Sequence, residues 1–371
     1  MASTEEDEVK PTSELIAEAQ RVIPDLDELE ERLNAEPGQV LTSALHRPRR
    51  ATDEAREGIG AAPEDVEIAL GEPVRTAVER TADGARRALR KIKRDGINAQ
   101  LDPEEIVGTE AIVLLFGRPA ILIQDGRFFP PPQPWNKLEQ IRDSIQTTIQ
   151  SVGRIEVKGH PAMDWIGTGW LIADNVVITN RHVAKEFTRQ DGRRWVFEPG
   201  MRGRIDFHEE FGGSASAEFG LTEVIGVHDD LDLALFRATR RSAGKALPPP
   251  LKLVPRTARP KKGQQVYVIG FPASDSRRND PDEMRRIFDN IYNVKRLQPG
   301  EVIKVSGSEF KHDCSTLGGN SGSCVVDLES HRVLGLHFSG RYREANRAVA
   351  LWKLADDKLL KKAGVQFDGG S

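Results

Sequence analysis

The second half of this 371-residue sequence predicts an all-β barrel or sandwich, and the first half predicts a mostly helical region. After about residue 152 the apolar runs are short and are separated by Gly, Pro, Asn and Asp, which is typical of many strands joined by turns. Before about residue 135, apolar residues recur at helical spacing. This change of pattern predicts a domain boundary near residue 150.

Four segments follow from these patterns. Residues 1–12 are acidic and are expected to be disordered, whereas residues 13–135 predict a helical regulatory or docking region that contains a linker. Residues 136–151 have the apolar spacing of a connecting helix, and residues 152–365 predict the β domain. Near the end of the helical region, the turn Asp125-Gly126 between the apolar run Ala120–Ile123 and Phe128-Phe129 predicts a small β-hairpin.

The longest helical pattern is strongly basic. An apolar stripe runs from Val74 to Ile92, while the other faces carry arginines and lysines. One interpretation is a solvated face neutralised in part by Glu72, Glu79 and Asp83. The other is a docking surface for an acidic partner, nucleic acid included. A net charge of −4 argues against a dedicated nucleic-acid binder and favours the first interpretation.

Composition favours a soluble protein that stays in the cytoplasm. Hydrophobic residues make up 38% of the chain and charged residues 30%, and no apolar run approaches the ~18 residues of a membrane span. The N-terminus is acidic where a secretory signal needs positive charge followed by an apolar core. We predict that Cys314 and Cys324 are buried reduced thiols, with a bridge between them as the alternative.

The sequence contains no spacing typical of a metal site, and we expect no metal and no cofactor. Most histidines are scattered along the chain, and a surface position is expected for each of them. These are His160, His208, His228, His312 and His331.

One serine and one histidine have the context of a nucleophile and its base. Ser321 lies among glycines in Gly318-Gly319-Asn320-Ser321-Gly322, which permit a tight turn and the close approach of a substrate backbone. A serine hydroxyl is a weak nucleophile until a neighbouring base takes its proton. His182 follows the apolar strand predicted at residues 176–179, so it is the candidate base.

A carboxylate is then needed to hold the imidazole in one tautomer. Asp232 lies between apolar residues that would bury it, in Leu231-Asp232-Leu233. Asp229 and Asp230 compete for this role. We prefer Asp232 because an apolar strand follows it directly.

In the order His, Asp, Ser, these segments resemble the trypsin-like serine proteases over about residues 152–360. The resemblance implies two six-stranded antiparallel β-barrels of the chymotrypsin fold. It also implies that Ser321 attacks a peptide carbonyl, that His182 transfers the proton and that Asp232 orients the imidazole. The backbone amides of Gly319 and Ser321 would form the oxyanion hole.

Asn320 departs from the trypsin pattern, which has an aspartate before the nucleophile. That aspartate pairs with the new N-terminus formed by zymogen cleavage. The resemblance therefore implies no activation by that route here.

The sequence around Ser321 is most similar to the bacterial glutamyl endopeptidases. Thr316 and His337 match the hydroxyl residue and the histidine that this group carries at its specificity pocket, and residues 346–349 are also similar. A histidine and a hydroxyl can hydrogen-bond a carboxylate. The resemblance implies cleavage of protein or peptide substrates after Glu, with Asp or Gln as alternatives.

Two readings from other classes remain open. The barrels could form a protein-interaction module on an inactive or latent protease fold, although the intact triad argues against it. The basic helix could tether the protease to nucleic acid, which binding that weakens steeply with salt would support. An esterase is disfavoured because the Gly-x-Ser-x-Gly elbow is missing.

Overall fold

The computed structural model of the chain describes residues 12–22, 30, 72–109, 118–131, 135–213, 216–274, 288, 291–339 and 346–368. The described residues before 118 belong to one compact unit, and residues 118–131, 136–284 and 290–371 belong to a second. The predicted acidic segment before residue 12, and the predicted linker between residues 36 and 62, lie outside the described residues.

The N-terminal unit is helical where it is described. It contains α1 (Thr12–Val22), α2 (Glu72–Asp95) and a 3₁₀ turn at Gly96–Asn98. Among the described side chains of α2, the buried apolar residues are Ala82, Ala85, Ala88, Leu89 and Ile92. Gly96, at φ +58°, ends the helix because this backbone conformation favours glycine.

The basic face of α2 is extensively ion-paired. Its pairs with acidic residues from other segments include Arg87–Glu104 at 2.7 Å, Lys91–Glu105 at 2.7 Å and Lys93–Glu30 at 2.8 Å. Asp83, one of the predicted partners, pairs with Arg86 at 3.0 Å. Among the described residues, these contacts support the interpretation of a neutralised face. The side chains of Glu72 and Glu79, the other predicted partners, lie outside the described part.

The first barrel is a closed antiparallel sheet in the strand order β10-β5-β4-β3-β8-β9. Its strands are β3 (Val152–Lys158), β4 (Trp165–Ala173), β5 (Val176–Thr179), β8 (Arg202–Asp206), β9 (Glu218–Val227) and β10 (Ala234–Ala238). Its interior is apolar and includes Ile155, Val177, Phe187, Ile205, Phe219 and Phe236.

The second barrel follows the order β13-β16-β17-β18-β15-β14 and closes through the pairing of β13 with β14. Its strands are β13 (Gln265–Gly270), β14 (Arg296–Ser306), β15 (Glu309–His312), β16 (Cys324–Asp327), β17 (Val333–Ser339) and β18 (Asn346–Ala350). Two six-stranded antiparallel barrels after a helical region are the architecture of the chymotrypsin fold. The predicted fold class is confirmed.

The hairpin predicted before the barrels is present as β1 (Ile121–Gln124) and β2 (Arg127–Phe128). Asp125 and Gly126 form its turn with φ values of 50° and 72°. β1 pairs with β14, so the hairpin extends the sheet of the second barrel.

The segment just before this hairpin is bound to the same barrel. The Arg118 side chain is buried and contacts Asp313 at 2.6 Å, and Ser315 Oγ donates a hydrogen bond to the Arg118 carbonyl at 2.5 Å. These two partners immediately precede the segment that contains Thr316.

The other described elements of this unit are short. The hairpin strands are β6 (Thr188–Asp191), β7 (Arg194–Phe197), β11 (Arg241–Ser242) and β12 (Lys245–Ala246). The helices are the 3₁₀ segment Trp135–Ile141, α3 (Arg142–Gln150), α4 (Arg181–Lys185), the 3₁₀ segment Leu351–Leu354 and α5 (Lys358–Lys362). No helix in the described ranges has both the length and the apolar character needed to cross a bilayer.

Both cysteines are free and buried, as predicted. Burial raises the pKa of the Cys324 thiol to about 12 and that of Cys314 well above its usual value, so both stay protonated. The surface positions predicted for His312 and His228 are wrong. The His312 side chain on β15 is fully buried inside the second barrel, and the His228 side chain is largely buried.

Candidate active site

His182 lies just after a strand of the first barrel. β5 ends at Thr179, Asn180 is extended, and α4 begins at Arg181. The His182 side chain is 49% exposed, so it is accessible to a substrate. The short helix was not predicted, although the position of the histidine directly after a buried strand was.

Asp232 holds the His182 residue through two hydrogen bonds. Its Oδ2 lies 2.6 Å from Nδ1 of the ring, and its Oδ1 accepts from the His182 backbone N–H at 2.9 Å. Burial opposes ionisation of this carboxyl, but the hydrogen bonds and charge of His182 outweigh burial and leave the pKa of Asp232 below its usual range. The carboxylate beside the imidazole is thus Asp232, and not Asp229 or Asp230.

Two neighbours of His182 fix the backbone that carries this carboxylate. Asn180 Nδ2 donates to the Asp232 carbonyl at 2.9 Å. Arg181 Nη1 donates to the carbonyls of His228 and Asp229. Sequence reasoning missed both roles, since neither side chain belongs to a catalytic residue type in this context.

The loop around Ser321 requires glycine on both sides of the nucleophile. Gly319 and Gly322 have φ values of +86° and +90°, and a Cβ on Gly322 would lie 2.0 Å from the Thr168 carbonyl oxygen. Asn320 is fully buried, and its Nδ2 donates to the Leu317 carbonyl at 3.4 Å. The loop is thus held without the aspartate of the trypsin pattern.

Thr168, on β4 of the first barrel, anchors this loop. Its Oγ1 donates to the Gly319 carbonyl at 2.8 Å, and its backbone N–H donates to the Ser321 carbonyl at 2.8 Å. Thr168 therefore couples the loop around Ser321 to the barrel that carries His182. Sequence reasoning missed it, although it lies in the run Gly167-Thr168-Gly169.

The backbone amides of Gly319 and Ser321 have no hydrogen-bond acceptor among the described residues. Donors of this kind can bind the oxygen of a tetrahedral intermediate. Within the same residues, no hydrogen bond joins Ser321 Oγ to the His182 ring, and a looser contact is usual in hydrolases without substrate.

His337 is bound directly to the nucleophile loop. Its carbonyl accepts from Gly322 N–H and its own N–H donates to the Ser323 carbonyl, both at 2.9 Å. The side chain is 2% exposed, and its Nδ1 lies 3.1 Å from Nε2 of His312. Burial, with the neighbouring His312 and His182, lowers the pKa of His337 well below its usual value, so the ring is neutral.

The surroundings of His312 determine which nitrogen of His337 carries the proton. His312 Nδ1 is buried and has no partner among the described residues. An unpaired N–H there would be a buried orphan donor, so the favoured tautomer leaves Nδ1 bare and places the proton on Nε2. His312 then donates to His337 Nδ1, and His337 keeps an N–H at Nε2. His312 is a buried partner of His337 whose contact sequence reasoning missed.

Thr316 is positioned by a different network. Its Oγ1 donates to Asn346 Oδ1 at 2.6 Å, and Asn346 Nδ2 donates to the Cys314 carbonyl at 2.6 Å. No hydrogen bond between Thr316 and His337 occurs in the described part of the chain. Asn346 was missed as an individual residue, although its segment contributed to the resemblance.

One acidic cluster could be taken for a metal site. Oxygens of Glu156, Asp206 and Glu209 lie within 4.8 Å of one another. However, Arg154 pairs with Glu156 at 2.6 Å and with Glu209 at 3.0 Å, and Arg204 also pairs with Glu156 at 2.6 Å. These arginines already neutralise the cluster.

Comparison with known families agrees with this geometry. Residues 167–336 match the family model described as the trypsin-like peptidase domain. The resemblance to the trypsin-like serine proteases that was inferred from the sequence is confirmed over this range.

Individual relatives are distant. The chain is 28% identical over 353 residues to a probable serine protease of Lysobacter enzymogenes, across 85% of this chain and 89% of that protein. It is 22% identical over 218 residues to a glutamyl endopeptidase of Staphylococcus epidermidis, across 58% of this chain and 68% of that protein. The solved Rv3671c protease from M. tuberculosis in its active form aligns with 19% identity and a TM-score of 0.41, across 63% of this chain and 89% of that chain.

Proposed function

We propose that this chain is a serine endopeptidase in which His182, Asp232 and Ser321 form the catalytic triad. The observation that carries the proposal is the doubly hydrogen-bonded His182–Asp232 pair, with Nδ1 of the ring 2.6 Å from the carboxylate. This arrangement leaves Nε2 of His182 as the nitrogen that takes a proton from Ser321.

The chemistry follows from these positions. Ser321 Oγ attacks the peptide carbonyl while its proton passes to His182 Nε2, and the carbonyl oxygen becomes an oxyanion. The amides of Gly319 and Ser321 stabilise that oxyanion, each by about 3–4 kcal/mol. His182 then protonates the leaving amine, and water, activated by the same histidine, hydrolyses the acyl-enzyme.

For specificity, we propose cleavage after Glu. The buried His337 offers a neutral N–H at Nε2, and the Thr316 hydroxyl is a second polar group on the segment leading to Ser321. A neutral donor would also accept Gln or Asp. We favour Glu because a hydrogen bond from the His337 N–H to a carboxylate is stronger than one to a neutral amide.

Regulation by the helical N-terminal region remains part of the proposal. The support is indirect: this unit is compact and its basic helix is largely ion-paired. The paired helix favours a protein partner or substrate over nucleic acid.

The test is cleavage of peptides that differ only at the residue before the scissile bond, namely Glu, Gln, Asp or Leu. The variants are Ser321→Ala and His337→Leu, and His208→Leu is the matched control because that histidine is exposed. Ser321→Ala should lower turnover on the order of 10⁶-fold. His337→Leu should abolish the preference for Glu while His208→Leu keeps it.

Each other outcome has a definite meaning. Cleavage after another residue would overturn the proposed specificity pocket, and the assignment of the triad would stand. If the wild-type chain binds peptides without cleaving them, the proposed protease activity is overturned and the interpretation as a protein-interaction module is supported.

A further inference from the structure

The turn that carries Asp232 is organised around the side chain of His228. His228 Nδ1 accepts hydrogen bonds from the backbone amides of Asp230 at 3.1 Å and Leu231 at 3.0 Å. The backbone of the turn closes when His228 N–H donates to the Leu233 carbonyl at 2.9 Å. The imidazole thus pairs the amides of the two residues directly before Asp232.

These contacts fix the tautomer of His228. A nitrogen that accepts two N–H groups carries no proton, so the proton is on Nε2. That nitrogen lies 3.2 Å from Oδ2 of Asp357, and both side chains are largely buried, at 15% and 18% exposure. His228 therefore donates to a carboxylate on one side and accepts from the turn on the other.

Asp357 connects this histidine to the C-terminal helix. Its other oxygen, Oδ1, caps α5 by accepting from the amides of Leu359 and Leu360, both at 2.9 Å. α5 also reaches the end of β9, where Lys362 Nζ donates to the Ile225 carbonyl at 3.2 Å. The two oxygens of one carboxylate thus join the helix end to the turn.

Arg181 fixes the turn from the opposite direction. It lies next to His182 and donates to the carbonyls of His228 and Asp229. The turn is therefore held between the helix that carries the base and the C-terminal helix. Asp232 has little freedom to move relative to the His182 ring.

We propose that His228 is a positioning residue for the triad, through which Asp357 and α5 set the orientation of Asp232. This inference rests on the proposed protease activity. His228 contacts neither the reacting atoms nor the His182 ring, so its effect is on the alignment of the carboxylate.

The test separates the two functions of the imidazole. In His228→Asn, the side-chain oxygen lies near the position of Nδ1 and can still accept from the turn. In His228→Gln, the amide NH₂ reaches toward the position of Nε2 and can still meet Asp357. His228→Phe removes both contacts, and Asp357→Ser keeps the helix cap while it loses the contact with His228.

We expect His228→Phe to lower kcat by about 10- to 100-fold, since a displacement of about 1 Å at a catalytic group has effects of this size. KM should stay within about twofold. His228→Asn should recover most of kcat, His228→Gln should recover less, and Asp357→Ser should lower kcat by about two- to fivefold. Active sites are counted with an acylating probe, so that a misfolded fraction does not lower the apparent kcat.

The pH profile supplies a readout that a purely structural role would not change. In His228→Phe, a misplaced Asp232 stabilises the His182 imidazolium less. The acidic limb of the plot of kcat/KM against pH should therefore move to lower pH. If the wild-type chain is active and both His228→Phe and Asp357→Ser keep its kcat and its pH profile, this inference is overturned and the protease proposal stands. An inactive wild-type chain would overturn the protease proposal and this inference with it.

Discussion

The two barrels solve the problem of burying polar groups in opposite ways. The interior of the first barrel is apolar. The ring of Phe236 stacks against those of Phe187 and Phe197, with centroid separations of 5.2 Å and 6.1 Å. The interior of the second barrel holds His312 and His337 in hydrogen-bond contact. In the first barrel the His182 ring is half-exposed above a largely buried Asp232, whereas both rings of the second barrel's pair are inside.

This difference corresponds to the proposed division of labour. Proton transfer needs an imidazole that substrate can reach, and the side chain of His182 is half-exposed. Recognition of a polar side chain needs a dry donor of fixed tautomer, which a buried histidine supplies. The proposed catalytic histidine must therefore stay accessible in the first barrel, whereas the proposed specificity histidine must stay buried in the second. Three measurements can test this comparison.

The largest effect is expected from the His182–Asp232 pair of the first barrel. Asp232→Asn would present an NH₂ group to Nδ1 of His182 and would favour the wrong tautomer, so kcat should fall by about 10⁴-fold with little change in the free energy of unfolding. Asp191→Asn, an exposed carboxylate on β6, is the control and should change kcat by less than about twofold. Equal rates in both variants would contradict the assignment of the carboxylate.

A substitution in the apolar core of the first barrel should act on stability alone. Phe236→Ala is expected to lower the free energy of unfolding by about 3–5 kcal/mol, because a fully buried ring leaves a cavity. The loss, measured by urea unfolding, should be the same at pH 7 and pH 5, since no titratable group is involved. Val305→Ala, a more exposed hydrophobic position, should cost less than about 0.5 kcal/mol. If the loss in free energy of unfolding of Phe236→Ala depended on pH, the contrast between the two barrel interiors would be contradicted.

The second barrel should instead make stability depend on pH. Burial lowers the pKa of His312 to about 3 from 6.5, so below pH 6.5 the unfolded chain binds a proton that the folded chain does not. The free energy of unfolding should therefore decrease as the pH falls from 6.5 towards 3, by up to about 1.4 kcal/mol per pH unit from this group. Urea unfolding of wild type and His312→Phe across this range should show a smaller slope in the variant. Parallel slopes would show that the buried pair does not titrate with unfolding.

The sequence allowed an all-β domain and the candidate residues His182, Asp232 and Ser321 to be predicted for physical reasons, whereas the two-barrel arrangement was implied by the resemblance to trypsin-like proteases. Residues 176–179 form a fully buried apolar strand, and the glycines around Ser321 fit a turn that excludes a Cβ. These signals are local, so they can be recognised without knowledge of the tertiary structure.

The supporting residues could not be predicted because their partners are distant in sequence. Thr168 binds Gly319 across 151 positions, and Asn180 binds Asp232 across 52. His312 pairs with His337 only because β17, β18 and β15 are neighbours in the second barrel. Nothing in the spacing of these side chains along the chain indicates that they meet.

The attachment of Arg118 and the β1–β2 hairpin has a practical consequence for expressing shortened forms. A fragment that begins after the hairpin would leave Asp313 without the arginine that lies 2.6 Å away, in a largely buried position. It would also uncover the edge of β14 where β1 pairs, and unpaired strand edges promote aggregation. Loss of activity in such a fragment would reflect an exposed edge and a stranded charge rather than removal of a regulator. A truncation that starts at residue 118 is the informative one.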